Sequence, residues 1–243
     1  MPARPTASER RDSARTAVVW DDLEPVLAGA PLDVVDIGGG TGGSAVRIAE
    51  LGHRVTVVDP SPDALAALGR RARELGVEVA GLQGDLGSLV GLVGAGGADL
   101  VLCHGVLEVV GDPGAALSSI SQVLRPGGRL SLLVAQRHAA VLARAMAGHL
   151  AQAHALLDDP LAGARPGRSH RRFTAPEVTE LLDAAGFGLD SVHGVRVFAD
   201  LVPGALLDLE PGTSAALLAL EQAVADRPEF FPLATQLHLL ATT

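Results

Sequence analysis

The sequence predicts an α/β fold, a doubly wound, Rossmann-like sheet of seven mostly parallel strands with an antiparallel last strand. Three observations carry this expectation. Apolar strand-like runs alternate with helical patterns through residue 135. A glycine-dense turn, Gly38 to Gly43, follows the first apolar run directly. Breaker clusters fall between the runs, at Leu51-Gly52-His53, Pro60-Ser61-Pro62 and Arg125-Pro126-Gly127-Gly128.

The elements follow in order. Ala14–Leu27 reads as a helix carrying the single tryptophan, Trp20. Strands are expected at Asp33–Ile37, Arg54–Val58, Glu78–Leu82, Asp99–Cys103 and Arg129–Ala135. The intervening helices fall at Gly43–Leu51, Pro62–Leu75, Asp85–Val93 and Pro113–Leu124. The alternation then pauses in one long Ala/Leu-rich helical stretch, His138–Leu157, and a loop rich in Arg, Pro and Gly, Asp158–Arg172. Thr174-Ala175-Pro176-Glu177 starts a helix through Ala185. Phe187–Phe198 alternates like a strand, Ser214–Ala225 is helical, and Leu233–Ala241 is the final strand, inserted as a hairpin partner. We expect one domain over residues 1–243. Its parts are an N-terminal helical segment (1–30), a cofactor-binding core (31–135), a helical lid (136–175) and the rest of the sheet (176–243).

Composition narrows the chemistry. At 48% hydrophobic the chain can bury a substantial core, and no apolar run approaches the ~20 residues of a membrane span. The arginine-rich start lacks an apolar stretch behind it, so a secretory signal is not expected and a cytoplasmic location is. The lone Cys103 excludes an internal disulfide and a multi-cysteine metal site, and no metal is expected. A net charge of −9 disfavours a broad nucleic-acid surface without excluding a local one. There is no lysine, asparagine or tyrosine, which removes lysine-based phosphate loops, Schiff bases and a tyrosine acid.

The glycines alone leave the ligand open. Gly38, Gly40 and Gly43 satisfy the dinucleotide spacing G-x-G-x-x-G, while Asp36, Gly38, Gly40 and Gly42 satisfy an acidic D-x-G-x-G-x-G. Flanking residues favour S-adenosyl-L-methionine over NAD. Asp36, at the end of strand one, suits the ammonium of a methionine moiety and would repel a pyrophosphate. Asp59 ends strand two about 20 residues on, where a carboxylate accepts from ribose hydroxyls of either cofactor. Gly84-Asp85-Leu86 follows strand three, where a carboxylate accepts from an adenine amino group, and Leu124–Gly128 precedes strand five.

Together, Val34–Gly43, Val57–Asp59, Gly84-Asp85, Asp99–His104 and Leu124–Gly128 resemble the class I S-adenosylmethionine-dependent methyltransferases. The resemblance implies Asp36, Gly38 and Gly40 at the methionine end, Gly42 in the same cofactor-binding turn, Asp59 at the ribose, Asp85 and Leu86 at the adenine, and His104 beside the transferable methyl. Arg15–Leu23, His104–Pro113 and Gly194–Phe198 are further similar to the bacterial tRNA 5-carboxymethoxyuridine methyltransferase family, which esterifies a carboxylate on a modified wobble uridine. That likeness implies an acceptor already anionic, held by Arg196 as a bidentate clamp. It also implies a basic loop, with Arg165, Arg168, His170, Arg171 and Arg172, against the phosphates of a tRNA anticodon loop. Few aromatics are available to stack a base: Phe173, Phe198, Phe230 and Phe231. The second reading is an O- or N-methyltransferase of a small-molecule acceptor. Oligomeric state is not legible.

Overall fold

The computed structural model describes residues 7–162, 171–207 and 212–243. The chain runs α1 (Ala7–Leu27), β1 (Asp33–Ile37), α2 (Gly43–Glu50), β2 (Arg54–Asp59), α3 (Pro62–Leu75), β3 (Val79–Gln83), α4 (Leu89–Val93), β4 (Ala98–His104), α5 (Pro113–Val123) and β5 (Leu124–Ala135). It continues through α6 (Arg137–Met146), α7 (Leu150–Asp158), α8 (Ala175–Ala184), β6 (Gly188–Val195), α9 (Gly204–Leu207), α10 (Thr213–Val224), a 3-10 turn (Pro228–Phe230) and β7 (Gln236–Thr242). Two compact units interleave along it. One comprises 1–24, 135–175 and 192–238, the other 25–134, 176–191 and 239–243.

The sheet has seven strands in the order β3-β2-β1-β4-β5-β7-β6. β1 to β5 pair in parallel. β7 runs against β5, since Thr243 N–H donates to Gly128 and Gln136 N–H to Thr235. It also runs against β6, where Thr242 bonds Asp190 and Thr235 N–H donates to Arg196. The strand order reverses between β1 and β4, and open parallel sheets bind ligands at the carboxyl ends of the strands at such a switch point.

Local chemistry explains the boundaries. Ser61 accepts from Ala64 N–H at 3.2 Å with Pro62 behind it, and Asp112 accepts from Ala115 N–H at 3.0 Å with Pro113 behind it. Central β4 is buried on both faces, with Leu100, Val101, Leu102 and Cys103 fully inaccessible, as a parallel strand covered by helices must be.

Four expectations need correction. The stretch His138–Leu157 is two helices, because Gly148 at φ +79° ends the first run. The helix expected from Asp85 begins at Leu89, because Asp85 and Ser88 close a turn on each other: Ser88 N–H donates to Asp85 Oδ1 at 3.1 Å and Asp85 N–H to Ser88 Oγ at 2.9 Å. Arg125–Gly128 lies within β5, which pairs from Leu124 across a register shift opposite Ala98–Leu100. β6 stops at Val195, so Arg196 lies beyond the strand, at φ +61°. Among the described residues, no helix is long and apolar enough to cross a membrane.

An ion-pair network ties the amino ends of β1, β2 and β4. Asp33 accepts from Arg54 Nε at 2.6 Å and from Arg125 Nη2 at 2.8 Å, and Arg125 Nη1 pairs with Asp99 at 2.6 Å. The Arg54 guanidinium, opposed by partial burial and helped by Arg125, lowers the Asp33 carboxyl below its ordinary value. Burial opposes the same shift at Asp99, yet Arg125 and the Asp33 N–H lower it too. Carboxyls depressed in the folded state contribute stability above their unfolded value of about 4, and that contribution is lost as pH falls through the folded value. Arg125→Met is therefore expected to lower the urea midpoint at pH 7, and the gap to wild type to shrink as pH drops below about 4. Urea titrations at pH 7, 5 and 3 followed by circular dichroism check this; a gap independent of pH would remove the network from the account.

Candidate active site

The site grows from the carboxyl ends of β1, β2 and β3, all within the second unit. After Ile37 the chain turns through Gly38 (φ +67°), Gly40 (φ +55°) and Gly42 (φ +79°) before α2. At Gly38 a Cβ would stand 2.5 Å from Val106 Cγ2, and at Gly42 it would collide with Leu68 Cδ1. Gly43, by contrast, has an ordinary φ and open space around it. The positions that require glycine are thus those of the acidic D-x-G-x-G-x-G spacing, and the third glycine of the dinucleotide spacing has no steric reason to be one. Gly39 went unremarked in the sequence, yet a Cβ there would meet Asp36 Oδ2 at 2.5 Å. The turn packs directly on that buried carboxylate.

Asp59 braces the turn from the next strand. Its Oδ2 accepts from Gly40 N–H at 3.0 Å and its Oδ1 from Ser61 N–H at 2.8 Å. The Asp59 carbonyl takes Gly84 N–H at 3.2 Å, while Gly38 N–H donates to Val58 at 2.8 Å. Each carboxylate oxygen has a second lone pair, so both retain capacity for a ligand's hydroxyl groups.

A cavity of about 440 Å³ opens beside these strand ends, lined by Gly38, Val58, Pro60, Gly84, Asp85, Leu86, Val106 and Asp112 among others. That volume suits a small cofactor. Among the described residues its lining holds no arginine or histidine, its charged members being Asp85 and Asp112. Asp36, Asp59 and Glu108 are buried in the same unit. Such surroundings suit a cationic ligand and repel a diphosphate. A larger cleft of about 980 Å³ lies along Asp33, His53 and Arg54, at the amino ends of β1 and β2. Open parallel sheets bind ligands at the opposite, carboxyl ends, which makes the smaller cavity the candidate site.

Asp85 is exposed at the cavity wall and Leu86 is buried there. His104 ends β4, its Nε2 at 2.8 Å from Ser131 Oγ. Ser131 is fully buried and was not singled out from the sequence, although a lone hydroxyl in the apolar run Leu130–Val134 was the signal. Burial, reinforced by the charges of Glu108 and Asp36, pushes the Cys103 thiol far above its ordinary value, so it supplies no thiolate.

Arg196 belongs to the first unit, where its Nη2 reaches both oxygens of Asp200, at 2.6 and 2.5 Å. Phe173 is buried, and Phe198 packs edge-on against Phe230 with centroids 6.0 Å apart. Of the basic loop, Arg165, Arg168 and His170 lie outside the described residues.

Comparison with known proteins agrees with this geometry. A family model described as a methyltransferase domain matches residues 35–132. The chain is 30% identical to the tRNA 5-carboxymethoxyuridine methyltransferase of Escherichia coli (strain K12), over 93% of this chain and 87% of that protein. It is 32% identical to the ubiquinone biosynthesis O-methyltransferase of Xanthomonas axonopodis pv. citri (strain 306), over 71% of this chain and 68% of that one. Among solved structures it is similar to the Burkholderia thailandensis 1,6-didemethyltoxoflavin-N1-methyltransferase with bound S-adenosylhomocysteine, with a TM-score of 0.57 and 23% identity over 96% of this chain and 77% of that one. At that identity the last likeness speaks for the fold.

The two adjacent glycines give a sharp test of the turn. Gly42→Ala is expected to cost about 1–3 kcal/mol of unfolding free energy, from a left-handed backbone and the Leu68 clash. Gly43→Ala, with neither problem, is expected to be neutral or slightly stabilising, since alanine favours a helix start. Equal costs in paired urea titrations would contradict the turn geometry.

Proposed function

The chain belongs to the S-adenosylmethionine-dependent methyltransferases, and from that premise we propose that it esterifies the carboxylate of a modified uridine at the wobble position of a cytoplasmic tRNA. The observation that carries this reading is the reach of the likeness to the Escherichia coli tRNA enzyme, which extends over 93% of the chain, well beyond the cofactor-binding core. The shorter match to an O-methyltransferase of ubiquinone biosynthesis supports a small-molecule acceptor as the second reading.

The chemistry of this chain suits an anionic acceptor. Methyl transfer from a sulfonium is an in-line displacement, and the protein's task is to align the reactants and keep water out. A carboxylate arrives deprotonated and needs no general base. The Cys103 thiol stays protonated, and one His104 ring nitrogen is engaged with Ser131. S-adenosyl-L-methionine supplies the activated methyl. Asp36 with Gly38 and Gly40 receives the methionine end, Asp59 the ribose, and Asp85 with Leu86 the adenine, with Gly42 in the same cofactor-binding turn. His104, fixed by Ser131, lies beside the methyl and positions rather than deprotonates. Arg196 is the residue we assign to the acceptor's carboxylate. One of its guanidinium nitrogens, Nη2, already contacts both oxygens of a carboxylate, that of Asp200, and the acceptor takes that carboxylate's place.

Nucleoside mass spectrometry on tRNA from a strain lacking the gene is expected to show one wobble-uridine methyl ester missing, and purified protein with labelled S-adenosylmethionine to restore it. Asp59→Asn is expected to weaken S-adenosylhomocysteine binding by roughly 10–100-fold, the value of charge-assisted bonds lost. Arg196→Ala should leave that binding unchanged and lower kcat/KM on tRNA by about 100-fold or more. An unchanged nucleoside profile, together with methylation of small phenols or acids, would favour the second reading.

A further inference from the structure

The unit built from 1–24, 135–175 and 192–238 holds a group of side chains that methyl transfer does not use. Asp22 comes from α1, His193 from β6 and His238 from β7. Oδ2 of Asp22 lies 3.4 Å from Nδ1 of His193 and 3.3 Å from Nδ1 of His238. The three donor atoms all lie within 4.8 Å of one another. The imidazoles are stacked with centroids 6.3 Å apart and planes 23° apart, so both present the same ring nitrogen to one carboxylate oxygen.

These separations are longer than a good N–H···O bond, which spans roughly 2.7–3.2 Å. They match the edge of a tetrahedron around an ion with bonds of about 2.0–2.1 Å, roughly 3.3–3.4 Å. Nδ1 of His193 is buried and makes no hydrogen bond. His238 is wholly inaccessible, while His193 and Asp22 keep 20% and 15% of their side-chain surface exposed, so the group is closed on one side only. The open side meets a cavity of about 550 Å³ lined by Asp21, Asp226 and Glu229 with, among the described residues, a single guanidinium, Arg227. That excess of carboxylates draws cations in and leaves room for water on an ion's remaining position.

We propose that Asp22, His193 and His238 form a binding site for one divalent transition-metal ion of the zinc class, with a fourth position open to the acidic cavity. Two imidazoles and one carboxylate select such an ion over magnesium or calcium, which prefer all-oxygen shells. Its ligands come from three elements distant in sequence, so it clips α1 to β6 and β7, and its loss loosens that unit. The site is independent of the acceptor assignment above.

The test uses the full-length, untagged protein, stripped with EDTA and titrated with zinc and cobalt(II). We expect one equivalent per chain, a rise in Tm with zinc, and the visible absorption of low-coordinate cobalt. His193→Gln and Asp22→Asn should each weaken zinc binding by at least about ten-fold, since even outer-shell partners are worth 10–100-fold. Both should keep the metal-free Tm and the S-adenosylhomocysteine affinity of the wild type, and His154→Gln should change nothing. Absence of stoichiometric binding, or affinity equal to wild type in both ligand variants, would overturn the site. If His193→Gln does not fold, Asp22→Asn and the cobalt spectrum decide the matter alone.

Discussion

The carboxylate of Asp59 is the joint on which the cofactor end of the sheet depends. One oxygen accepts Gly40 N–H from the turn after β1, the other accepts Ser61 N–H at the start of α3, and the residue's carbonyl takes Gly84 N–H after β3. Three consecutive strand ends are thereby set by one buried residue. A carboxylate buried to this degree is tolerated because each of its oxygens accepts a backbone N–H. The same bonds hold the glycine turn open, where ordinary side chains at Gly38 and Gly42 would fill it or distort its left-handed backbone.

Charge then decides what such an end accepts. Asp36, Asp59 and Glu108 are buried in the same unit, and the cavity's own charged lining is acidic. A site with this excess of carboxylates favours a cationic ligand over an anionic one. A cofactor carrying both a sulfonium and an ammonium suits it, whereas a dinucleotide brings further negative charge. The distinction between the two glycine spacings is therefore electrostatic as well as steric.

Much of this was legible from the sequence, for identifiable reasons. Parallel strands buried on both faces leave near-continuous apolar runs, and β1, β2 and β4 were read within a residue or so of their ends. Asp59 and Gly38 stood out because their positions follow from strand length and turn chemistry, which are local. What was missed depends on contacts between distant segments. Ser131 holds His104 across neighbouring strands, and Gly39 is crowded by Asp36 through the shape of the turn. The start of α4 moved to Leu89 because Asp85 and Ser88 satisfy each other, a preference that helical periodicity does not register. Gly148 split an Ala/Leu-rich stretch whose composition favoured one helix.

Arg196 shows the same limit and what it implies. Alternation along Phe187–Phe198 made it a strand residue, yet β6 ends one residue earlier and the backbone turns left-handed at this arginine. A non-glycine residue in that region costs on the order of 1–3 kcal/mol and persists only where its surroundings impose it. Glu221 imposes it here. This fully buried carboxylate on α10 accepts from the N–H groups of Val197, Phe198 and Ala199 at 2.8, 2.9 and 2.6 Å. Three charge-assisted bonds outweigh the strain of one residue. The turn is therefore held by Glu221 from outside position 196. At that strained position the guanidinium pairs with Asp200, whose carboxylate also accepts from Thr235 Oγ1 at 3.0 Å.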